Sequence, residues 1–212
     1  MHTWIKFCGT TSVEDALASV EAGADALGFI FARSPRRVTA QQARQIIHEL
    51  PQSVERVGVF RDATVEEIRR IATEVALTGI QLHGDENASQ VYDSLPRSRR
   101  DSLRMIKTLI AKKGFEAQLD AGNERRVSAW LVDSGAGSGK TFDWQAARAQ
   151  LGERQARLII AGGLTPGNVG DAIRTFFPWG VDVVSGIEWE PGRKDRAKME
   201  AFVAAVRKAE QK

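Results

Sequence analysis

The chain is short of the features that mark several large classes of protein. It has a single cysteine, Cys8, in 212 residues, so no disulfide can close within it, which favours a reducing cytosol. No apolar run approaches the ~20 residues that a membrane-spanning helix needs. The opening stretch "MHTWIKFCGTT" has neither a basic n-region nor an apolar h-region, so no signal peptide is expected. Charge of one sign is scarce too: 30 basic against 27 acidic residues leave a net +3. An excess that small suits an anionic small molecule and gives no footprint for a polyanion. The densest basic segment, "PRSRRDSLR", has no interleaved aromatics and reads as a solvated loop. A cytoplasmic protein is therefore expected, with no membrane or nucleic-acid partner.

What is present is regular. With 42% hydrophobic and 27% charged residues, the chain can build one large core. Short apolar runs alternate with amphipathic segments from end to end. The strand candidates are "WIKFC", "ADALGFIF", "ERVGVF", "TGIQLH", "RMIKTL", "AWLVDS", "RLIIAGG" and "VDVVSG". Each ends in polar or glycine residues, as buried parallel strands do. Between them lie helix-start signals: Thr11 with Glu14, Thr39 with Gln42 and Thr64 with Glu67 as capping boxes, and Thr165-Pro166 as an N-cap before a first-turn proline. Gly23 closes the first helix, and Leu50-Pro51 and Leu95-Pro96 stop the second and fourth. No linker or low-complexity run divides the chain. The alternation predicts an α/β protein, a single (β/α)₈ barrel over residues 1–212. An open doubly wound sheet is the alternative, because closure leaves no local signature.

One stretch invites a different reading. "DSGAGSGKTFDW" contains Gly139-Lys140-Thr141, the end of a nucleotide-binding loop, but Ser134 stands where that motif requires glycine. The next helix starts after Asp143, too late for its N-terminus to hold phosphates. A flap after the sixth strand, with Lys140 available to an anion, fits better.

In a barrel, chemistry gathers where strands end at their C-terminal side. Cys8 ends the first strand; a thiol before a helix N-terminus can have its pKa lowered and act as a base, or it can be a small buried hydrophobe. Arg36 and Arg37, in a proline-stiffened loop, can grip a carboxylate or lie on the surface. Gln81 and His83 share a face at the fourth strand end, in a site or in a structural role. Asp133 closes an apolar strand, where desolvation raises a carboxyl pKa toward use as an acid; capping a loop is the alternative. The last two strand ends carry Gly162-Gly163 and Ser185-Gly186, suited to bringing backbone N–H groups to a phosphate, or simply to tight turns.

Taken together, "KFCGTT", "GADALGFIFARSPRRVT", "RVGVF", "IQLHG", "GSGKTFDW", "AGGLTPGNV" and "VDVVSGIEWEPGRKD" resemble the phosphoribosylanthranilate isomerase family over nearly the whole chain. The resemblance implies a (β/α)₈ barrel without cofactor or metal. It implies an Amadori rearrangement of N-(5-phosphoribosyl)anthranilate to the 1-deoxyribulose 5-phosphate. It makes Cys8 the general base and Asp133 the acid, and it puts Arg36 (Arg37 in another register) on the anthranilate carboxylate. Gly162, Gly163, Ser185 and Gly186 fall to the substrate's phosphate, and "GSGKTFDW" becomes a loop over the site; Gln81 and His83, reaching the mouth by their shared face, are expected to bind the substrate as well. The chain departs from the family at Thr10, often isoleucine, and at Val184, usually serine. Competing readings are another sugar-phosphate isomerase or epimerase, and a non-catalytic phosphate-binding barrel. The exposed-looking "IEWEPG" turn leaves monomer or homodimer open.

Overall fold

The structure, a computed structural model, describes residues 2–111, 115, 118, 126–135, 142–151 and 157–211. Eight parallel strands close into a barrel in chain order: β1 Trp4–Cys8, β2 Ala26–Ile30, β3 Glu55–Phe60, β4 Gly79–Leu82, β5 Arg104–Ile110, β6 Ala129–Asp133, β7 Leu158–Ile160 and β8 Gly180–Val183. The alternative of an open sheet is thereby ruled out: β8 pairs with β1 through Trp4↔Gly180 to Phe7↔Val183. Helices on the outside are α1 Val13–Ala22, α2 Ala40–His48, α3 Val65–Glu74, α4 Ala88–Ser94, α5 Arg97–Arg100, α6 Trp144–Leu151, α7 Val169–Phe176 and α8 Arg196–Glu210. A short hairpin, β9 Glu188–Glu190 with β10 Arg193–Lys194, follows β8.

Two apolar clusters follow from the alternation of side chains along each strand. The larger lies between sheet and helices and includes Ile5, Phe7, Leu27 and Phe202. The smaller fills the barrel interior with Trp4, Val57, Ile106, Leu131 and Ile159 among others. At the N-terminal end of the strands Trp4 stacks on Trp179 at 4.9 Å between ring centres. Arg104 lies 4.6 Å from the Trp179 ring centre while bridging to Glu55. This end is plugged, so the opposite mouth is where a ligand can enter.

Several local expectations need correction. Ser12, not Thr11, caps α1 by accepting from the Asp15 N–H; the Thr11 hydroxyl instead donates to the Gly192 carbonyl at 2.6 Å. The Thr39 box is complete, whereas Thr64 caps α3 without a returned bond. Thr165-Pro166 does not open a helix. Asn168 accepts from the Thr165 N–H and donates to the Gly163 carbonyl, folding a turn, and α7 begins at Val169. The basic segment is not wholly loop: Arg97–Arg100 make one helical turn. There Arg99 and Arg100 donate to the Leu77 and Leu95 carbonyls. Asp143 does cap α6, accepting from the Ala146 N–H at 3.0 Å. The Gly139-Lys140-Thr141 flap lies outside the described residues.

Candidate active site

The mouth encloses a cavity of about 360 Å³ reached by the ends of most strands. Cys8, Arg36, Gln81, His83, Asp133, Gly162, Gly163 and Ser185 all line it, so eight expected site residues meet in one place. Arg37 is exposed and outside it, so of the two arginines the cavity receives Arg36. Gly186 does not line it either. It works from behind: a Cβ there would stand 1.9 Å from the Leu164 carbonyl oxygen. That glycine lets the turn after β8 lie directly against the loop after β7. Gly162 and Gly163 have φ of +81° and +69°, a left-handed path that glycine takes without strain. These two loops therefore converge at one side of the mouth.

Cys8 is fully packed, and its sulfur fits only because β2 has a glycine opposite: a Cβ at Gly28 would lie 2.5 Å from Sγ. Burial pushes the thiol pKa up, with the Lys6 ammonium pulling against it. The lowered value expected from a helix N-terminus is thus not found. Four residues separate Cys8 from α1, and desolvation outweighs the nearby cations. Asp133 behaves as expected from its strand: burial raises its pKa, against a bond from the Gly135 N–H of 2.6 Å and the pull of His83. The same burial lowers the pKa of His83, which favours the neutral imidazole. Gln81 lies at the floor, 2% exposed, with Nε2 donating to the Thr108 hydroxyl and Oε1 without a partner.

Three groups of consequence escaped sequence reasoning. Lys6 and Asp182 form a buried pair at 2.7 Å beneath Cys8; their neighbourhood comes from the β1–β8 register. Burial alone would lower the Lys6 pKa, but Asp182 and Cys8 outweigh it and the net shift is upward. A lysine and an aspartate inside otherwise apolar strands were the available signal. Glu188 grips Arg36 through Nε and Nη2 at 2.7–3.0 Å. Lys194 donates to the Cys8 carbonyl at 2.6 Å and to Glu188 at 3.2 Å. Both arrive on the β9–β10 hairpin; they lie within "VDVVSGIEWEPGRKD", a stretch that carried the resemblance but from which neither residue received a role.

A parallel eight-stranded barrel whose mouth holds a thiol, a protonatable carboxyl and two convergent glycine loops defines a barrel enzyme built for proton transfer on a phosphorylated ligand. Comparison with known proteins narrows this. The N-(5'phosphoribosyl)anthranilate (PRA) isomerase family matches residues 5–205. The N-(5'-phosphoribosyl)anthranilate isomerase of Geobacter sp. (strain M21) is 44% identical over 212 residues, 97% of this chain and 98% of that protein. A solved phosphoribosyl anthranilate isomerase in complex with reduced 1-(o-carboxyphenylamino)-1-deoxyribulose 5-phosphate superposes with a TM-score of 0.79. It is 36% identical, over 98% of this chain and 100% of the other. Monomers generated from the dimeric enzyme of Thermotoga maritima give 0.80 at 36% identity, over 98% and 100%. The chain belongs to the PRA isomerase family.

Proposed function

We propose that this member of the family works as one catalytic domain over residues 1–212, with Cys8 as general base and Asp133 as general acid. The reaction is the family's: an aldose–ketose isomerisation of N-(5-phosphoribosyl)anthranilate to 1-(2-carboxyphenylamino)-1-deoxyribulose 5-phosphate, in tryptophan biosynthesis. The observation that carries the assignment is the meeting of Cys8 and Asp133 in one cavity, from strands three steps apart around the ring.

Asp133, whose pKa burial raises, protonates the furanose ring oxygen as the bond from C1′ to that oxygen breaks. The nitrogen lone pair forms the Schiff base. The C2′ proton is now acidic, and the Cys8 thiolate removes it to leave an enolamine. Protonation at C1′ and loss of the enol proton give the ketone. Protons gained at the ring oxygen and C1′ balance those lost from C2′ and its hydroxyl, so the sequence asks for no redox partner. Each group contributes ~10²–10⁴-fold. Thiolate formation has to overcome burial, and Lys6, whose Nζ pairs with Asp182, is the cation placed to help.

Arg36 takes the anthranilate carboxylate. Gly162, Gly163 and Ser185 take the phosphate, with Gly186 setting their approach, and remote binding energy holds the sugar in register. The free Oε1 of Gln81 is an acceptor for a sugar hydroxyl, and neutral His83 lies beside the acid. The lone buried thiol suits a reducing cytoplasm. Among the described residues no helix is long and apolar enough to cross a membrane. A small phosphorylated substrate is the partner, the chain acting as monomer or homodimer. The reading is tested by generating phosphoribosylanthranilate in situ and following its fluorescence without metal or nucleotide. Rapid loss supports it; no loss, with phosphate esters still bound, would move the function to another sugar phosphate.

A further inference from the structure

Arg36 is held by a second, wholly enclosed pair of charges. The Glu188 side chain is 3% exposed and that of Lys194 is fully buried. They face each other across the β9–β10 hairpin, which brings them against Arg36 and Cys8, two residues that line the cavity. Glu188 occupies the edge of the guanidinium formed by Nε and Nη2. A guanidinium has a further edge, Nη1 with Nη2, able to take another carboxylate. Among the described residues no hydrogen bond engages Nη1.

The charge count then matters. Glu188 alone would cancel Arg36 and leave a neutral clamp, a poor trap for an anion. Lys194 restores one net positive charge within hydrogen-bond distance of Glu188; burial lowers its pKa, and the Glu188 carboxylate is the main group that opposes the shift and holds the proton. The enclosed groups that line the cavity or lie beneath Cys8 do not alter the balance: Lys6 and Asp182 cancel as a pair, and the thiol and the Asp133 carboxyl are both biased toward their neutral forms. The buried Lys107 is on β5, outside the cavity lining, and donates to the Gly84 and Glu86 carbonyls. The Lys194 N–H reaches Asp15, and Lys198 donates to the Glu188 carbonyl, but both those side chains are partly exposed and so screened. Enclosing a lysine is costly, and a neutral donor would serve the Cys8 carbonyl equally well. A cation is needed only for its charge.

We propose that Lys194 is a specificity-determining residue: through Glu188 it keeps the Arg36 clamp net positive, and so makes the site select a substrate with a carboxylate on its aromatic ring. This rests on Arg36 being the carboxylate contact. Discrimination is the ratio of dissociation constants for two stable ligands, reduced 1-(o-carboxyphenylamino)-1-deoxyribulose 5-phosphate and its phenylamino counterpart lacking the carboxylate.

The ratio is measured by calorimetry for the unaltered protein, Arg36→Met, Lys194→Met and the double variant Glu188→Gln with Lys194→Met. Lys194→Met is expected to reduce preference for the carboxylated ligand on the order of tenfold, leaving affinity for the other nearly unchanged. The double variant, with Arg36 again the one net charge, is expected to regain most of the preference. Unchanged preference in Lys194→Met, while Arg36→Met loses it, overturns the role of Lys194 and spares that of Arg36. Unchanged preference in Arg36→Met overturns both. If Lys194→Met binds neither ligand, the double variant decides: regained preference supports charge balance, and its absence assigns Lys194 to holding the Cys8 carbonyl alone.

Discussion

Replacing Gly186 by alanine puts a methyl group where the two loops proposed to hold the phosphate touch. The nearest atoms would be the Leu164 carbonyl oxygen at 1.9 Å and its carbon at 2.9 Å, both backbone, so no side chain can swing aside. Reaching the 3.4 Å of ordinary contact requires a retreat of about 1.5 Å by one loop. Ser185 would move with one loop, or Gly163 with the other. Overpacking of this kind costs about 1–3 kcal/mol of stability. A displacement near 1 Å at a positioning site costs on the order of 10²-fold in rate. The assay is the dissociation constant of inorganic phosphate with kcat/KM, alongside urea unfolding. Gly167→Ala is the control, its nearest neighbour being the Thr165 hydroxyl at 3.7 Å, and it should change neither. Wild-type phosphate affinity and stability in Gly186→Ala would refute the idea that contact between these loops shapes the site.

Other outcomes follow from the same geometry. Asp133 has a folded-state pKa above its ordinary 3.8, so its contribution to stability is present below that value and lost as pH rises through the folded one. Asp133→Asn should therefore melt higher than wild type at neutral pH, with the gain vanishing in acid; a constant or reversed difference would contradict the assigned direction. Lys6→Met leaves Asp182 buried without its partner and should cost about 3–5 kcal/mol. In urea unfolding, adding Asp182→Asn should recover part of that loss. The Thr10 hydroxyl is buried without a partner, so Thr10→Val should stabilise by about 1 kcal/mol without altering kcat. Trp179→Ala breaks the stack at the plugged end and should cost about 2–3 kcal/mol, seen in thermal melts, while kcat/KM stays the same.

The strands were legible because each is an apolar run closed by polar residues; β1 and β3 begin and end where their patterns do. Helix starts were less so. "GTTS" offers hydroxyls in succession, and the choice of Ser12 was settled by Thr11 bonding to Gly192 across 181 residues. Thr165 lost its role to Asn168, whose amide ties back to Gly163. Cys8, Asp133 and the glycine loops were readable as strand ends. Lys6 with Asp182, and Arg36 with Glu188, come together only when the barrel closes, since their partners are 176 and 152 residues apart. The direction of the Cys8 shift was misread for a related reason: desolvation belongs to the packed barrel, and the sequence shows only a neighbouring helix.

In the proposed mechanism Cys8 and Asp133 divide the proton transfers between them. The most direct measurement is single-turnover fluorescence decay of phosphoribosylanthranilate in wild type, Cys8→Ala and Asp133→Asn, with the dissociation constant of the product for each. Each substitution is expected to slow turnover by ~10²–10⁴-fold while product affinity stays nearly unchanged. Near-normal turnover in either variant would contradict it.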